Sequence, residues 1–206
     1  MTDRAHWNRV YADKADDSLS WFEAAPGLSA ALIEDHVRAC AAVDVRAGAS
    51  RLVDHLLDKG FAPVTAVDSS AEGLAVTRAR LGPRAAAVDW VVGDVTAWTP
   101  PRRSRLWHDR AVLRFLTDPG ARAAYARGRD AATAPGAVAI IATFAEDGPE
   151  TCSGLPVRRY APAELAAEIE AHLPGVCTPV ESRRHLHVTP AGSAQRFQFP
   201  VLRKVG

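Results

Sequence analysis

Apolar residues in this chain gather in short runs, and each run is followed by a segment with helical spacing. The run CAAVDV (40–45) leads into a small-residue loop, after which Leu52, Val53, Leu56 and Leu57 repeat at helical intervals and Gly60 closes the helix. PVTAVDSS (63–70) predicts a second strand, and 71–81 a helix that buries Leu74 and Leu81. VDWVVGDV (88–95) predicts a third strand. RLWHDRAVLRFL (105–116) predicts a fourth that runs into a loop or short helix. An alanine-rich helix over 119–132, the apolar strand GAVAIIATF (136–144) and a helix over 162–172 follow. RRHLHV (183–188) and QRFQFPVL (195–202) flank the turn TPAGSA and predict a closing antiparallel hairpin. Ahead of all this, residues 1–36 are polar and aromatic. A Pro-Gly break at 26–27 divides them into two helices that form an N-terminal cap.

Strands alternating with helices predict an α/β fold, a doubly wound and mostly parallel sheet of seven strands whose last strand is antiparallel. With 206 residues and no linker, the whole chain reads as one domain. The polar segment 144–160, after the fifth strand, is expected to form a lid or substrate wall that includes Phe144, Cys152 and Tyr160. The formal net charge of +1 argues against nucleic acid and membrane surfaces as partners, because both need a clustered positive field. The opening residues contain no apolar secretory core, and no run reaches the length of a membrane span. Cys40, Cys152 and Cys177 are few and widely separated, which fits a reduced, cytoplasmic setting. Lysine stands only at 14, 59 and 204. The remaining basic residues are arginine, a usage expected of a GC-rich genome.

In a doubly wound sheet, ligands bind beyond the carboxyl ends of the strands. Asp44, Asp68 and Asp94 each close an apolar run on that rim. An acid after the second strand can accept both hydroxyls of a ribose, and one after the third can accept an adenine amino group. Each is also an ordinary choice for a helix cap or loop, so the signal lies in the ordered set.

The order Asp44-x-x-x-Gly48-x-Ser50, VTAVDSS, VVGDV, LWHDRAV and PGAVAIIATF resembles the class I S-adenosylmethionine (SAM)-dependent methyltransferases over nearly the whole chain. HWNRVYADKADDSLSWFE, near the N-terminus, resembles the cap of a subgroup that includes bacterial small-molecule methyltransferases and eukaryotic lysine methyltransferase-like proteins. The resemblance implies SAM as cofactor and a small-molecule acceptor, or less readily a protein side chain. It places Asp44, Gly48 and Ser50 at the methionine part of SAM, Asp68 and Ser69 at the ribose, and Asp94 and Val95 at the adenine. His108 would face the methyl group, and Trp7, Tyr11 and Trp21 would cover the cofactor. The glycine-rich turn departs from the family, reading Asp44-Val45-Arg46-Ala47-Gly48. Arg46 can swing into solvent, pair with the SAM carboxylate, or fill the site. In the last case the alternative function follows, a methyltransferase fold that has lost methyl transfer and serves as a different enzyme or a binding module.

Methyl transfer needs positioning and at most a base, and no metal is implied. His108 and Asp109 are the candidate catalytic residues because they sit on the reactive rim, with Arg110 beside them facing the substrate. His108 can equally be a packed histidine that shapes the site, and Asp109-Arg110 an internal ion pair. His185 and His187 share one strand face but lack an evident third ligand, so they read as structural. Arg158-Arg159 and Arg183-Arg184 can bind an anion or simply be solvated. Trp90, Trp98 and Trp107 read as core or site-wall residues.

Overall fold

A computed structural model describes residues 4–206. Its elements are α1 (Arg4–Asp13), α2 (Gly27–His36), β1 (Ala42–Val45), α3 (Leu52–Asp58), β2 (Val64–Asp68), α4 (Ala71–Leu81), β3 (Val88–Val92), β4 (Ser104–Arg110), α5 (Pro119–Ala132) and β5 (Thr133–Phe144). A two-stranded turn, β6 (Thr151–Cys152) and β7 (Leu155–Pro156), α6 (Pro162–His172), β8 (Cys177–Val188) and β9 (Ala194–Lys204) complete the chain. The main sheet has seven strands in the order β3-β2-β1-β4-β5-β9-β8. β1 to β5 are parallel, and β9 runs antiparallel to both β5 and β8. The strand order reverses between β1 and β4, which is where a doubly wound sheet opens its ligand crevice.

The central strands are apolar throughout because both faces are covered. Along β5, Val138, Ile140 and Ala142 join the core beneath α2 and α3, with Leu32, Ile33 and Leu56. Ala139 and Ile141 alternate to the opposite core with Trp107, Tyr125 and Leu165. Local chemistry sets the helix ends. Ser70 Oγ accepts from Gly73 N at 3.1 Å to start α4, and Asp118 accepts from Ala121 N at 2.8 Å to start α5. Among the described residues no helix is long and apolar enough to cross a membrane.

Three differences from the sequence expectations bear on the rim and the edge of the sheet. β3 ends at Val92; Gly93 N makes the last ladder bond, to the Asp68 carbonyl at 2.8 Å, and Asp94 lies in the following loop. β8 starts at Cys177, six residues before the predicted start at 183. It is an edge strand with an exposed face, and there Pro179 and a polar alternation are compatible with pairing. Finally, α2 is part of the core: Leu32 and Ile33 are fully buried under the sheet. Of the expected cap, only α1 and the loop after it overlie the rim; residues 1–3 lie outside the described part.

Candidate functional site

The three rim acids have different surroundings. Asp68, at the end of β2, is held by two backbone donors, Ser70 N to Oδ1 at 2.8 Å and Gly48 N to Oδ2 at 3.0 Å. Burial raises its pKa above the usual carboxylate range. Arg46 and the two amides pull the other way, and Asp44 adds to the rise. Asp94 accepts from Thr96 N at 2.9 Å and from its hydroxyl at 2.7 Å, so it shapes its own loop beside the buried Val95. Asp44 is fully buried. Its Oδ1 holds His108, and its Oδ2 has no partner among the described residues.

Tyr11 of α1 reaches down onto this rim. A Cβ at Gly48 would overlap the Tyr11 hydroxyl, and one at Gly73 would lie 2.7 Å from its ring. Glycines 25 positions apart in the chain therefore form the seat of one aromatic side chain. Burial and the neighbouring Asp68 push the Tyr11 phenol well above its usual pKa, so it stays a neutral donor. Ser70 Oγ also donates to Asn8 Oδ1 at 2.7 Å, which ties α1 to the top of β2.

Arg46 occupies the glycine position with φ of 63°, in the left-handed region that a non-glycine residue adopts only at a cost. Its guanidinium lies 3.7 Å over the Trp7 ring, 4.7 Å from Phe115 and 5.3 Å from Trp21. Its Nη2 is buried without a hydrogen-bond partner among the described residues. The side chain therefore stands in an aromatic cage, and it lines two cavities at once. The smaller, of about 310 Å³, is bounded by Asp68, Ser69, Gly93 and Val95. The larger, of about 670 Å³, is bounded by Trp21, Ser29, Asp44, Ser50, His108 and Arg110. Expected ribose and adenine residues line the first, and expected methionine and methyl-side residues the second; Arg46 is the partition.

In the larger cavity His108 is fixed from both sides. Nδ1 donates to Asp44 Oδ1 at 2.7 Å, and Nε2 meets Ser29 Oγ at 2.9 Å. A carboxylate only accepts, so Nδ1 carries the proton, and a neutral ring leaves Nε2 to accept from Ser29. Nearby, Arg110 Nη2 donates to Glu23 Oε1 at 2.7 Å. His185 and His187 approach the same oxygen at 3.3 and 3.4 Å, supplying the third ligand-type group that the sequence did not reveal. Arg110 already neutralises that carboxylate, and His187 Nε2 donates to the Ser20 carbonyl at 2.8 Å, so the cluster clamps the cap loop onto β8. Burial raises the Glu23 pKa, but the His187 hydrogen bond and the Arg110, His185 and His187 charges outweigh it and leave it lowered. A lowered carboxylate stabilises the fold above its unfolded pKa and loses that contribution as pH falls through the folded value. The cap is therefore expected to loosen only below about pH 4, read as increased tryptophan exposure in fluorescence quenching.

Asp109 does not face either cavity. It is fully buried on the opposite side of β4, accepting from Val112 N at 2.7 Å, Leu113 N at 3.1 Å and Tyr125 Oη at 2.6 Å. Trp107 Nε1 donates to the same Tyr125 oxygen at 3.0 Å. The catalytic role expected of Asp109 is thus replaced by a structural one, since all its visible partners are core donors. Tyr125→Phe removes the central link of this chain and is expected to cost about 2 kcal/mol, measured by urea denaturation. Phe144, Cys152 and Tyr160, expected to line the substrate, are buried behind the cavity wall. Phe144 packs on Phe197, and Cys152 Sγ accepts from Arg114 Nη2 at 3.2 Å. Ser50 lines the larger cavity while its Oγ accepts from Leu52 N at 3.0 Å to start α3.

Sequence reasoning missed Ser29, Glu23, Phe115 and Arg114. Ser29, Glu23 and Phe115 carry no local signal, because their roles depend on loops folding back over the sheet. Arg114 did carry one: it is a cation inside the apolar stretch AVLRFL.

No protein-family model matches the sequence, and no curated protein matches it. Solved structures do match. The chain is similar to 1,6-didemethyltoxoflavin-N1-methyltransferase of Burkholderia thailandensis, solved with 1,6-didemethyltoxoflavin and S-adenosylhomocysteine (SAH), with 26% identity and TM-score 0.78 over 98% of this chain and 87% of that one. It is also similar to the N-methyltransferase NodS of Bradyrhizobium japonicum WM9 in complex with SAH, with 13% identity and TM-score 0.72 over 98% and 99%. A third match is the glycopeptide N-methyltransferase MtfA, with 16% identity and TM-score 0.67 over 96% and 100%.

Proposed function

We propose that this chain, which has the fold of the class I SAM-dependent methyltransferases, transfers a methyl group from SAM to a small-molecule acceptor. The observation that carries the reading is Asp68: a carboxylate at the end of β2, fixed by two backbone amides and lining the smaller cavity. The residues present fit the cofactor. Asp68 would accept from the ribose, Val95 and the Asp94 loop would border the adenine, and the unpartnered Asp44 Oδ2 would accept from the methionine ammonium. Bound there, SAM supplies an electrophilic methyl group on a sulfonium. Tyr11 and Arg46 must move aside for it, so opening of α1 is part of binding.

On the acceptor side, Ser29 and His108 form a proton path. An N–H or O–H acceptor gives up its proton to Ser29 Oγ as Ser29 hands its own to His108 Nε2. The imidazolium so formed faces Asp44 at 2.7 Å. His108→Asn is expected to lower kcat about 100-fold or more and leave SAH affinity within a few-fold. SAH release measured over a panel of small amines and phenols tests the function. Acceptor-dependent release that collapses in His108→Asn supports it, and a protein that binds SAM but never releases SAH above background contradicts it.

The raised pKa of Asp68 adds a pH dependence. The ionised carboxylate is the ribose acceptor, so affinity for SAH should fall as pH drops through a value above the usual carboxylate range. Asp68→Asn should flatten that dependence in calorimetry. One observation favours a second reading: the caged Arg46 between the cavities would suit a fold that has given up methyl transfer for another reaction or for binding. In that case the wild type would bind no SAH.

A further inference from the structure

The larger cavity has an imbalance of charge. Two of its ion pairs are matched, Arg51 with Asp16 at 3.5 Å and Arg110 with Glu23 at 2.7 Å, while Asp44 holds the neutral His108 at 2.7 Å. Arg46 and Arg114 line the same cavity and form no ion pair among the described residues. Arg114 is the more confined, at 1% exposure. Its guanidinium lies 4.0 Å over Phe144 and 5.2 Å from both Phe115 and Phe197. Nη2 has only the weak thiol acceptor of Cys152, and Nε and Nη1 have no partner among the described residues. Burial lowers its pKa to about 10, with Arg46 and Arg110 adding to the fall, so it remains a cation at neutral pH.

A buried cation without a counterion is costly, whereas each arginine of the two pairs singled out in the sequence has one. Arg158 meets Glu168 at 3.0 Å, Arg159 meets Glu150 at 2.9 Å, Arg183 meets Asp35 at 2.8 Å and Arg184 meets Glu146 at 2.9 Å. Arg129 is buried in the same way, with Cys177 Sγ at 3.1 Å as its side chain's acceptor among the described residues, but it lines neither cavity; Arg114 lines the larger one, so an anion from outside the chain can reach it. A cofactor that spans the two cavities displaces Arg46 from the partition, so Arg46 is not the fixed cation of the larger one. That leaves Arg114, at the end of the cavity bounded by Arg110, Ala111 and Phe197.

We propose that the acceptor carries a carboxylate, and that Arg114 binds it in the larger cavity beside Phe197. The inference rests on the methyltransferase reading for the word acceptor, but the anion site itself does not. An Arg–carboxylate contact in a dry site both neutralises the cation and orients the ligand. Trp21, Phe22 and Phe197, which line the same cavity, favour an aromatic or otherwise apolar body behind the anion.

The test is calorimetric titration of the SAH-saturated full-length protein with benzoate and with its neutral isostere benzamide. Benzoate should bind at least tenfold more tightly. Arg114→Gln should erase that preference with SAH affinity within twofold, and Arg114→Lys, which keeps the charge, should retain it. The lysine variant and the wild-type comparison keep the test decisive where the glutamine variant does not fold. Equal binding of the two probes by the wild type, or an undiminished preference in folded Arg114→Gln, overturns the proposal. If the wild type binds no SAH, the methyltransferase reading fails. The same titration without SAH then decides the anion site alone, by the same tenfold criterion.

Discussion

Arg46→Gly is expected to bind SAH about 30-fold more tightly than the wild type. The guanidinium is held by the rings of Trp7, Phe115 and Trp21, at 3.7, 4.7 and 5.3 Å. Cation–π contacts of this kind contribute about 2 kcal/mol when partly desolvated. A ligand that spans the two cavities must displace the side chain and lose that contribution, and about 1.4 kcal/mol is tenfold in affinity. The glycine variant has neither this cost nor the partition. The fold itself should barely respond, since two effects of opposite sign meet. The variant loses the cage, but glycine adopts the φ of 63° without the roughly 1–2 kcal/mol a side chain incurs there. Calorimetry with SAH checks the affinity, and thermal unfolding checks that the melting temperature moves by only a few degrees. A variant that binds more weakly than the wild type would instead make Arg46 the partner of the SAM carboxylate.

Asp68→Ala is expected to reduce SAH affinity about 100-fold. Two ribose hydroxyls donating to one carboxylate are worth about 3 kcal/mol in total. The loss should exceed that of any other single rim acid. Asp94 is engaged by Thr96, and Asp44 offers one free oxygen. Removing Asp68 also frees Gly48 N and Ser70 N, so the loop after β1 should loosen. Hydrogen exchange at those two amides reports it. Asp68→Asn, which keeps an acceptor oxygen, should fall between the wild type and alanine. Equal SAH binding by the wild type and Asp68→Ala would remove the ribose assignment.

The doubly wound sheet is legible in the sequence because its signals are local. Apolar runs with both faces buried, such as Val64–Asp68, leave continuous hydrophobic stretches, and Gly60 closes the helix that follows the first of them. The order of acids along the rim is legible for the same reason. β8 is not legible to its full length because an edge strand with one exposed face needs no apolar pattern. The expectation for Asp109 fails because β-strand alternation sends it to the face opposite His108, and the sequence HD gives no hint which of the two points into the crevice. The contents of the site are hardest to read. Ser29 meets His108 across 79 positions, and Glu23 meets Arg110 across 87, so both depend on the route of the cap over the sheet. Gly48 reads as a cofactor glycine in the sequence; in the folded chain its missing Cβ makes room for Tyr11.

SAM dependence is the central claim, and titration of SAH into the wild-type protein at neutral pH tests it most directly. A single saturable site, competed by SAM and weakened about 100-fold by Asp68→Ala, is the result expected. Absence of binding by the wild type would contradict it, and binding restored in Arg46→Gly would then assign the loss to the partition between the two cavities.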